Sequence, residues 1–172
     1  MSYYRRKFNQ SVITHRPRLR RFLTKVEKNP PVLLDEYADE LDREVWTEVN
    51  CLSCSNCCRV MTPTFNFEDI KRISSHLGMT IKAFKEKWLF KNKQGEWMNV
   101  NRPCQFLDRK TNMCTIYEVR PRDCAEFPHL RKKPAKKFIH LHKQNVQYCP
   151  ATFKMVEKLM VKLKGVVEAS GK

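Results

Sequence analysis

The sequence predicts an α+β fold: a small, helix-rich single domain with a short β-hairpin, organised round a cysteine-ligated metal centre. Three observations predict it. Apolar residues recur at helical spacing in several segments, two short extended stretches flank one polar turn, and eight of the 172 residues are cysteines. The length fits one domain with appendages and is too short for two ordinary domains with separate cores.

Composition limits the class of protein. No apolar run approaches the roughly 20 residues that a membrane-spanning helix needs, and the amino terminus lacks the apolar stretch of a secretory signal peptide. We therefore expect a cytoplasmic protein. Disulfides are rare in that compartment, so the eight cysteines predict metal binding or thiol chemistry.

The first predicted segment, residues 1–50, combines a basic leader with amphipathic helices. Nine Lys and Arg residues against Glu27 alone precede Asp35, and a helix is expected to begin near Pro17 and to end before Pro30. Residues 35–50 are acidic and predict a second helix. Its acidic face either packs against the basic leader or faces water, and the second alternative is favoured because surface ion pairs contribute little.

The second predicted segment, residues 51–128, is the metal-binding domain. Asn66 is expected to cap a helix that ends at Gly78, and Thr80 to cap another that ends before the turn Asn92 to Gly95. The expected apolar positions of these two helices are Ile70, Ile73, Leu77, Ile81, Phe84, Trp88 and Leu89.

Extended pieces are expected next at Trp97 to Val100, Cys104 to Leu107 and Met113 to Tyr117. A symmetrical hairpin of the last two would place Cys104 opposite Ile116 and Cys114 opposite Phe106. Both sulfurs would then lie on one face. A helical turn or a tight bend is expected between Tyr117 and Cys124.

The third predicted segment, residues 129–172, is basic and carries the last cysteine. Pro150 is expected to open a carboxyl-terminal helix. Its apolar stripe is Val156, Leu159, Met160, Leu163 and Val167.

The cysteines form a pattern that indicates metal ligation. Residues 51–58 read CxxCxxCC, and two-residue gaps let a tight turn aim two thiolates at one ion. The eight candidate ligands are Cys51, Cys54, Cys57, Cys58, Cys104, Cys114, Cys124 and Cys149. They allow two four-ligand sites, a cluster with spare thiols, or one closed site beside a reactive pair. Spacing alone does not separate zinc from iron or from an iron–sulfur cluster such as 4Fe–4S. Buried core cysteines and a CxxC redox dithiol are the less favoured alternatives.

The ordered motifs resemble the YkgJ-type CxxCxxCC cysteine-cluster family, which is described as a zinc- or iron-chelating domain. The resemblance rests on residues 51–58, the helix EDIKRISSHLG, and PCQFL, CTIY, RPRDC and FP, and it spans about residues 51 to 128, with Cys149 as the trailing cysteine. It implies a metal or iron–sulfur site, and a flagellin lysine methylase shares the cysteine cluster. The chain departs from the usual pattern at Ser55-Asn56, where a glycine is common before the paired cysteines, and at Ala125, where a basic or aromatic residue is frequent.

Other residues carry weaker expectations. Three histidines could be metal ligands or catalytic bases: His129, His140 and His142. The favoured alternative is that they face solvent, with His140 and His142 on an edge strand. Arg120, Arg122 and Asp123 form a structural ion pair or, less favoured, an anion pocket. Basic runs at Arg18 to Arg21 and Arg131 to Lys137 predict contact with nucleic acid or an acidic partner less strongly than simple solvation.

Three functional hypotheses remain open. The protein holds iron, as ions or a cluster, for redox or metal-handling work; it is a structural zinc module whose basic surfaces bind nucleic acid or a protein; or it is an enzyme such as an iron–sulfur oxidoreductase or a protein-modifying methylase. The sequence names no catalytic residue, and with four glycines and no nucleotide-binding motif it predicts no nucleotide cofactor.

Overall fold

The computed structural model describes residues 3–164, which divide into two compact units. The terminal unit comprises the described parts of Met1–Asn50 and Pro128–Lys172, and the central unit is Cys51–Phe127. The elements of the whole described chain are, in order, α1 (Tyr3–Lys28), α2 (Leu34–Glu48), α3 (Cys51–Cys54), α4 (Asn56–Val60), β1 (Thr64–Phe65), α5 (Phe67–His76), α6 (Ile81–Trp88), β2 (Leu89–Lys91), β3 (Trp97–Asn99), a 3₁₀ turn (Tyr117–Val119), α7 (Arg122–Glu126), a second 3₁₀ turn (Ala135–Phe138), α8 (Ile139–Asn145) and α9 (Pro150–Lys162). The predicted α+β class, rich in helix with a small antiparallel sheet, is confirmed.

Helix α1 of the terminal unit is longer than the sequence predicts. It begins at Tyr3 rather than near Pro17 and runs through that proline, although an internal proline costs a helix about 3 kcal/mol. The cost is offset because the apolar side of the helix packs against α8 and α9. Its buried side chains are Phe8, Leu19, Phe22, Leu23 and Val26. The predicted end is confirmed, since the helix stops at Lys28, before Pro30.

Helix α2 buries its apolar stripe, as predicted, but its acidic face has a different partner. In the part of the chain that the structure describes, its ion pairs join it to basic residues after position 130. Lys162 binds Glu40 at 2.5 Å, Lys158 binds Glu44, and Lys154 binds Glu48 at 2.5 Å. Both helices advance by four residues per pair, so α2 and α9 run antiparallel and form a ladder of ion pairs. The sequence missed this because the pairs join segments more than 100 residues apart.

The described end of the terminal unit contains helices and no strand. Residues 138–142, predicted as an edge strand, lie in a 3₁₀ turn and in α8, because helical spacing buries Ile139, His142 and Asn145 together. The predicted opening of α9 at Pro150 is confirmed. Of its predicted stripe, Val156, Leu159 and Leu163 are buried, Met160 is half-buried, and Val167 lies outside the described residues.

Two well-capped helices build the central unit. Asn66 accepts a hydrogen bond from the Asp69 N–H at 2.8 Å while Asp69 accepts one from the Asn66 N–H, a complete capping box. Gly78 ends that helix with a φ of 63°, as predicted. Thr80 caps α6, also as predicted. Leu77 is 37% exposed, so it is not part of the buried stripe.

The sheet of the central unit has the order β1-β3-β2 and is antiparallel. Its hairpin joins β2 to β3 through the predicted turn at Asn92 to Gly95. The predicted hairpin between Cys104 and Tyr117 is reduced to one bridge, in which Cys114 pairs with Leu107 and not with Phe106. The register shifts by one residue because Asn112, at a φ of 65°, closes a turn back onto Asp108.

The core of the central unit is small. Its buried residues are Phe65, Ile70, Ile73, Phe84, Leu89, Phe106 and Ile116. Cys104 and Cys114 are partly buried and pack against this core. In the described part of the chain, no helix is long and apolar enough to cross a membrane.

Candidate metal centre

The CxxCxxCC segment folds as two short helices, α3 and α4, with Ser55 between them. Ser55 has a φ of 44°, in the left-handed region that side chains disfavour, which explains why glycine suits this position. Its hydroxyl donates to Oδ1 of Asn112 at 2.5 Å. The break in the helix is followed by the paired cysteines, whose sulfurs Cys57 Sγ and Cys58 Sγ lie 3.9 Å apart.

Two backbone contacts gather further cysteines around Cys58. The N–H of Cys104 donates to the carbonyl oxygen of Cys58 at 2.8 Å. Cys114 lies in the bridge with Leu107, whose own N–H donates to the Cys104 carbonyl at 3.0 Å. Three segments separated in sequence therefore meet. The predicted pairing of Cys114 is wrong by one residue, but Cys104 and Cys114 still lie in neighbouring chain segments.

The segment that carries Cys124 is fixed by carboxylates. The N–H of Arg122 donates to buried Asp69 at 3.0 Å, and Asp123 accepts from the N–H of Thr64 at 3.1 Å. Arg122 also pairs with Glu126 at 2.5 Å. These contacts support the structural role that the sequence favours for Arg122 and Asp123. They hold Cys124 beside β1 and α5.

The pKa values of the cysteine thiols depend on burial and on the charges of neighbouring thiolates. Burial raises the pKa of Cys51, Cys104, Cys114 and Cys124, and a negative charge on Cys58 raises each of them further. A hydrogen bond from the Cys57 thiol, supported by the Arg59 guanidinium, instead lowers the pKa of Cys58 to about 7. Cys58 is therefore the thiol that ionises most readily among these five.

Hydrogen bonds to the sulfurs of two further cysteines stabilise their thiolate forms and oppose the effect of burial on their pKa values. The sulfur of Cys104 accepts from the backbone N–H of Phe106 and from Nδ2 of Asn99, the latter at 3.2 Å. The sulfur of Cys114 accepts from the N–H of Ile116. Gln105 orients Asn99 by donating to its Oδ1 at 2.9 Å. The sequence did not predict the role of Asn99, because it belongs to no motif and its only signal is its position five residues before Cys104.

The gathered thiols do not form a coordination shell. Within residues 3–164, no three His, Cys, Asp or Glu side chains are arranged to hold one ion. None of the eight cysteines forms a disulfide within the described residues. Thiolates are the donors that zinc and iron–sulfur clusters take from proteins, so the chemistry of the donor set fits either metal. Seven of the predicted ligands lie in the central unit, and Cys149 lies buried in the terminal unit.

The histidines differ from their prediction. His142 is buried and not on a strand, and burial, with the neighbouring charges of His129 and His140, lowers its pKa to about 4. His140 is exposed on the same helix. His142 is therefore a neutral side chain of the helical core at physiological pH.

The ordered cysteine segments, gathered on a small α+β unit, define a protein of the cysteine-cluster class. Residues 50–150 match the family described as "CxxCxxCC: Putative zinc- or iron-chelating domain". That match covers more than half of the chain, and the chain belongs to this family. The resemblance found from the sequence motifs is thereby confirmed.

One relative extends the comparison. An uncharacterized protein of Methanocaldococcus jannaschii is 30% identical over 107 residues, which are 61% of this chain and 54% of the relative. The chain spans about half the length of that curated relative. No solved structure matches the chain.

Proposed function

We propose that the protein binds zinc or iron, as ions or as an iron–sulfur cluster, through the cysteines of the central unit. The proposed ligands are Cys51, Cys54, Cys57, Cys58, Cys104, Cys114 and Cys124, with Cys149 as an eighth candidate. One observation carries the proposal: the Cys104 N–H donates to the Cys58 carbonyl oxygen and Cys114 bridges to Leu107, so that three cysteine-bearing chain segments meet. Family membership supports the same class of ligand.

The number of cysteines in the central unit supports a site with more than one metal atom. Seven of the eight lie there, and the sulfurs of Cys57 and Cys58 are 3.9 Å apart. A structural zinc ion takes only four ligands. Seven cysteines therefore fit a cluster or a pair of ions better than one closed tetrahedral site.

The metal decides what the site does. Zinc would supply folding energy alone, whereas an iron–sulfur cluster would also carry electrons. The chain's own contribution is the same in both cases. Asn99 and the two backbone N–H groups stabilise charged sulfur, and the carboxylates of Asp69 and Asp123 fix the Cys124 segment.

Metal analysis tests the proposal directly. Protein purified without oxygen should contain more than one zinc or iron atom per chain, measured by mass spectrometry of the elements. Acid-labile sulfide together with visible absorbance would identify a cluster, and zinc without sulfide would identify a zinc site. Protein that retains neither metal after reconstitution would contradict the proposal.

Substitution of Cys58 tests the position of the site. Cys58→Ser should lose most of the metal, because Cys58 is the thiol whose pKa is lowered, to about 7, and its backbone contacts the Cys104 segment. Val60→Ser is the matched control, since it introduces the same side chain in the same short helix at an exposed position. Circular dichroism of both variants separates metal loss from unfolding. Full metal retention in a folded Cys58→Ser variant would remove Cys58 from the site.

A further inference from the structure

Helix α1 presents an exposed row of cations. Phe8, Leu19, Phe22, Leu23 and Val26 are buried within the terminal unit, whereas Ile13 is exposed. The exposed cations are Arg6, Lys7, Arg16, Arg18, Arg20, Arg21, Lys25 and Lys28. Only one acid, Glu27, lies on the helix, and Lys143 binds it.

These cations have few acidic neighbours: Arg18 lies close enough to Glu157 of α9 for its charge to oppose the burial that raises the pKa of that carboxyl. Among the residues that the structure describes, none of the eight forms an ion pair, and the side chain of Arg16 donates instead to the neutral Gln147 at 2.8 Å. Five acids of α2 are engaged by other cations. The paired acids of α2 are Asp39, Glu40, Asp42, Glu44 and Glu48, and their partners come from α9 and from Arg131 and Lys133.

Four of the cations form a stripe along one side of the helix. Arg18, Arg21, Lys25 and Lys28 follow one another at intervals of three, four and three residues, the spacing that keeps side chains on one helical face. At a rise of 1.5 Å per residue they span about 15 Å. We call them the α1 stripe.

We propose that the α1 stripe binds the phosphate backbone of nucleic acid. One strand of a duplex carries a charge about every 3.4 Å along its axis, so about four phosphates face a stripe of this length. An anionic membrane fits less well. Interfacial helices insert an apolar face between lipids, and the apolar face of α1 is already buried in the protein.

The proposed contact is with phosphates and positions the nucleic acid on the protein. A row of cations without base-reading side chains holds the backbone and carries no sequence information. Binding is therefore independent of base sequence and strongly dependent on salt. This activity goes beyond metal binding, and it does not depend on which metal the central unit holds.

The test compares two variants of the full chain that lose equal charge. Arg18→Gln, Arg21→Gln, Lys25→Gln and Lys28→Gln together remove the α1 stripe, and glutamine preserves the helix. The control combines Lys82→Gln, Lys93→Gln, Arg109→Gln and Lys110→Gln, four exposed cations of the central unit. Fluorescence anisotropy with a labelled duplex of about 20 base pairs is measured over a series of salt concentrations.

Four phosphate contacts give the wild-type protein a slope of log affinity against log salt near −3.6, at about −0.9 per contact. The stripe variant should lose most of that slope and at least tenfold in affinity, while the control keeps both. If the quadruple variant fails to fold, each single substitution should reduce the slope by about one.

Three results would overturn the proposal. Wild-type protein that fails to bind the duplex at about 50 mM salt would do so. Equal loss in the control would show that net charge alone acts. Binding to phosphatidylserine vesicles in place of the duplex, with loss in the stripe variant, would assign the surface to a membrane.

Discussion

Asn99 is the side chain through which the protein most directly tunes a candidate ligand. It is buried, donates to the Cys104 sulfur at 3.2 Å, and is held in place by Gln105. Such a donor stabilises thiolate and therefore metal binding. It acts on sulfur and needs no contact with the metal.

Asn99→Asp should weaken metal binding by about 10- to 100-fold, because it replaces the donor that faces sulfur with a negative oxygen. Competition with a coloured chelator measures the change. Asn101→Asp is the control, since it introduces the same charge two residues away at an exposed position. Equal affinities in the two variants would contradict a role for the Asn99 donor.

His142 makes the stability of the terminal unit depend on pH. Its folded-state pKa of about 4 lies below the ordinary value of 6.5, so the unfolded chain binds more protons between these values. Stability should therefore be full above pH 6.5 and fall by about 3 kcal/mol as the pH drops towards 4.

Substitution separates this effect from other titrations. His142→Gln should flatten the dependence of unfolding free energy on pH between 4 and 6.5, whereas His76→Gln, at an exposed position of the central unit, should leave it unchanged. Denaturant unfolding at pH 4.5 and pH 7 measures both variants. A pH dependence of the His142→Gln variant equal to that of wild type would refute the assignment.

At the scale of elements, the ion-pair ladder between α2 and α9 specifies how two helices align. Lys158 binds both Glu44 and Glu48, with the latter pair at 2.9 Å. Hydrogen bonds from Lys154 and Lys158 lower the pKa of Glu48 to about 2. The contribution of Glu48 is thus present above its ordinary pKa of 4.5 and is lost as the pH falls towards 2.

Lys158→Gln should lower the melting temperature at low salt more than Lys164→Gln does. The two substitutions remove the same charge, but none of the described ion pairs involves Lys164. The difference should shrink as salt is added, because exposed pairs are screened. Thermal unfolding followed by circular dichroism provides the measurement, and equal melting temperatures would mean that the ladder adds no stability.

Local signals in the sequence predicted the local elements well. Caps at Asn66 and Thr80 and the stop at Gly78 were recognisable because each acts within one helical turn. The continuation of α1 through Pro17 was not, since it depends on packing against helices distant in sequence. The short alternation before His142 resembled a strand only because period-two and helical patterns are ambiguous over five residues.

The cysteines of the candidate site could be predicted from the sequence, but the residues that hydrogen-bond to them and position them could not. Cysteine spacing identified the thiols, whose assignment as ligands stays a prediction. The hydrogen bonds that surround them come from residues without a distinctive pattern, such as Asn99 and Asp69. The register at Cys114 was wrong because one left-handed residue, Asn112, changes a turn.

At the scale of the whole molecule, metal removal should affect the two units differently. The central unit has a core of seven buried hydrophobic residues and depends, on our proposal, on metal for folding energy. In hydrogen exchange by mass spectrometry, chelator treatment should remove protection from residues 51–127 and leave α1, α2 and α9 protected. Unchanged protection of the central unit in metal-free protein would show that its small core suffices.

The path of the chain sets an order for synthesis. The terminal unit draws α1 and α2 from one end and α8 and α9 from the other, with the whole central unit between them. On the ribosome, the apolar faces of α1 and α2 must therefore wait for their partners until α9 emerges. The central unit is continuous and is complete earlier, so its folding can shorten the loop that the terminal unit has to close. Metal supply during translation would then influence how long the first two helices stay exposed.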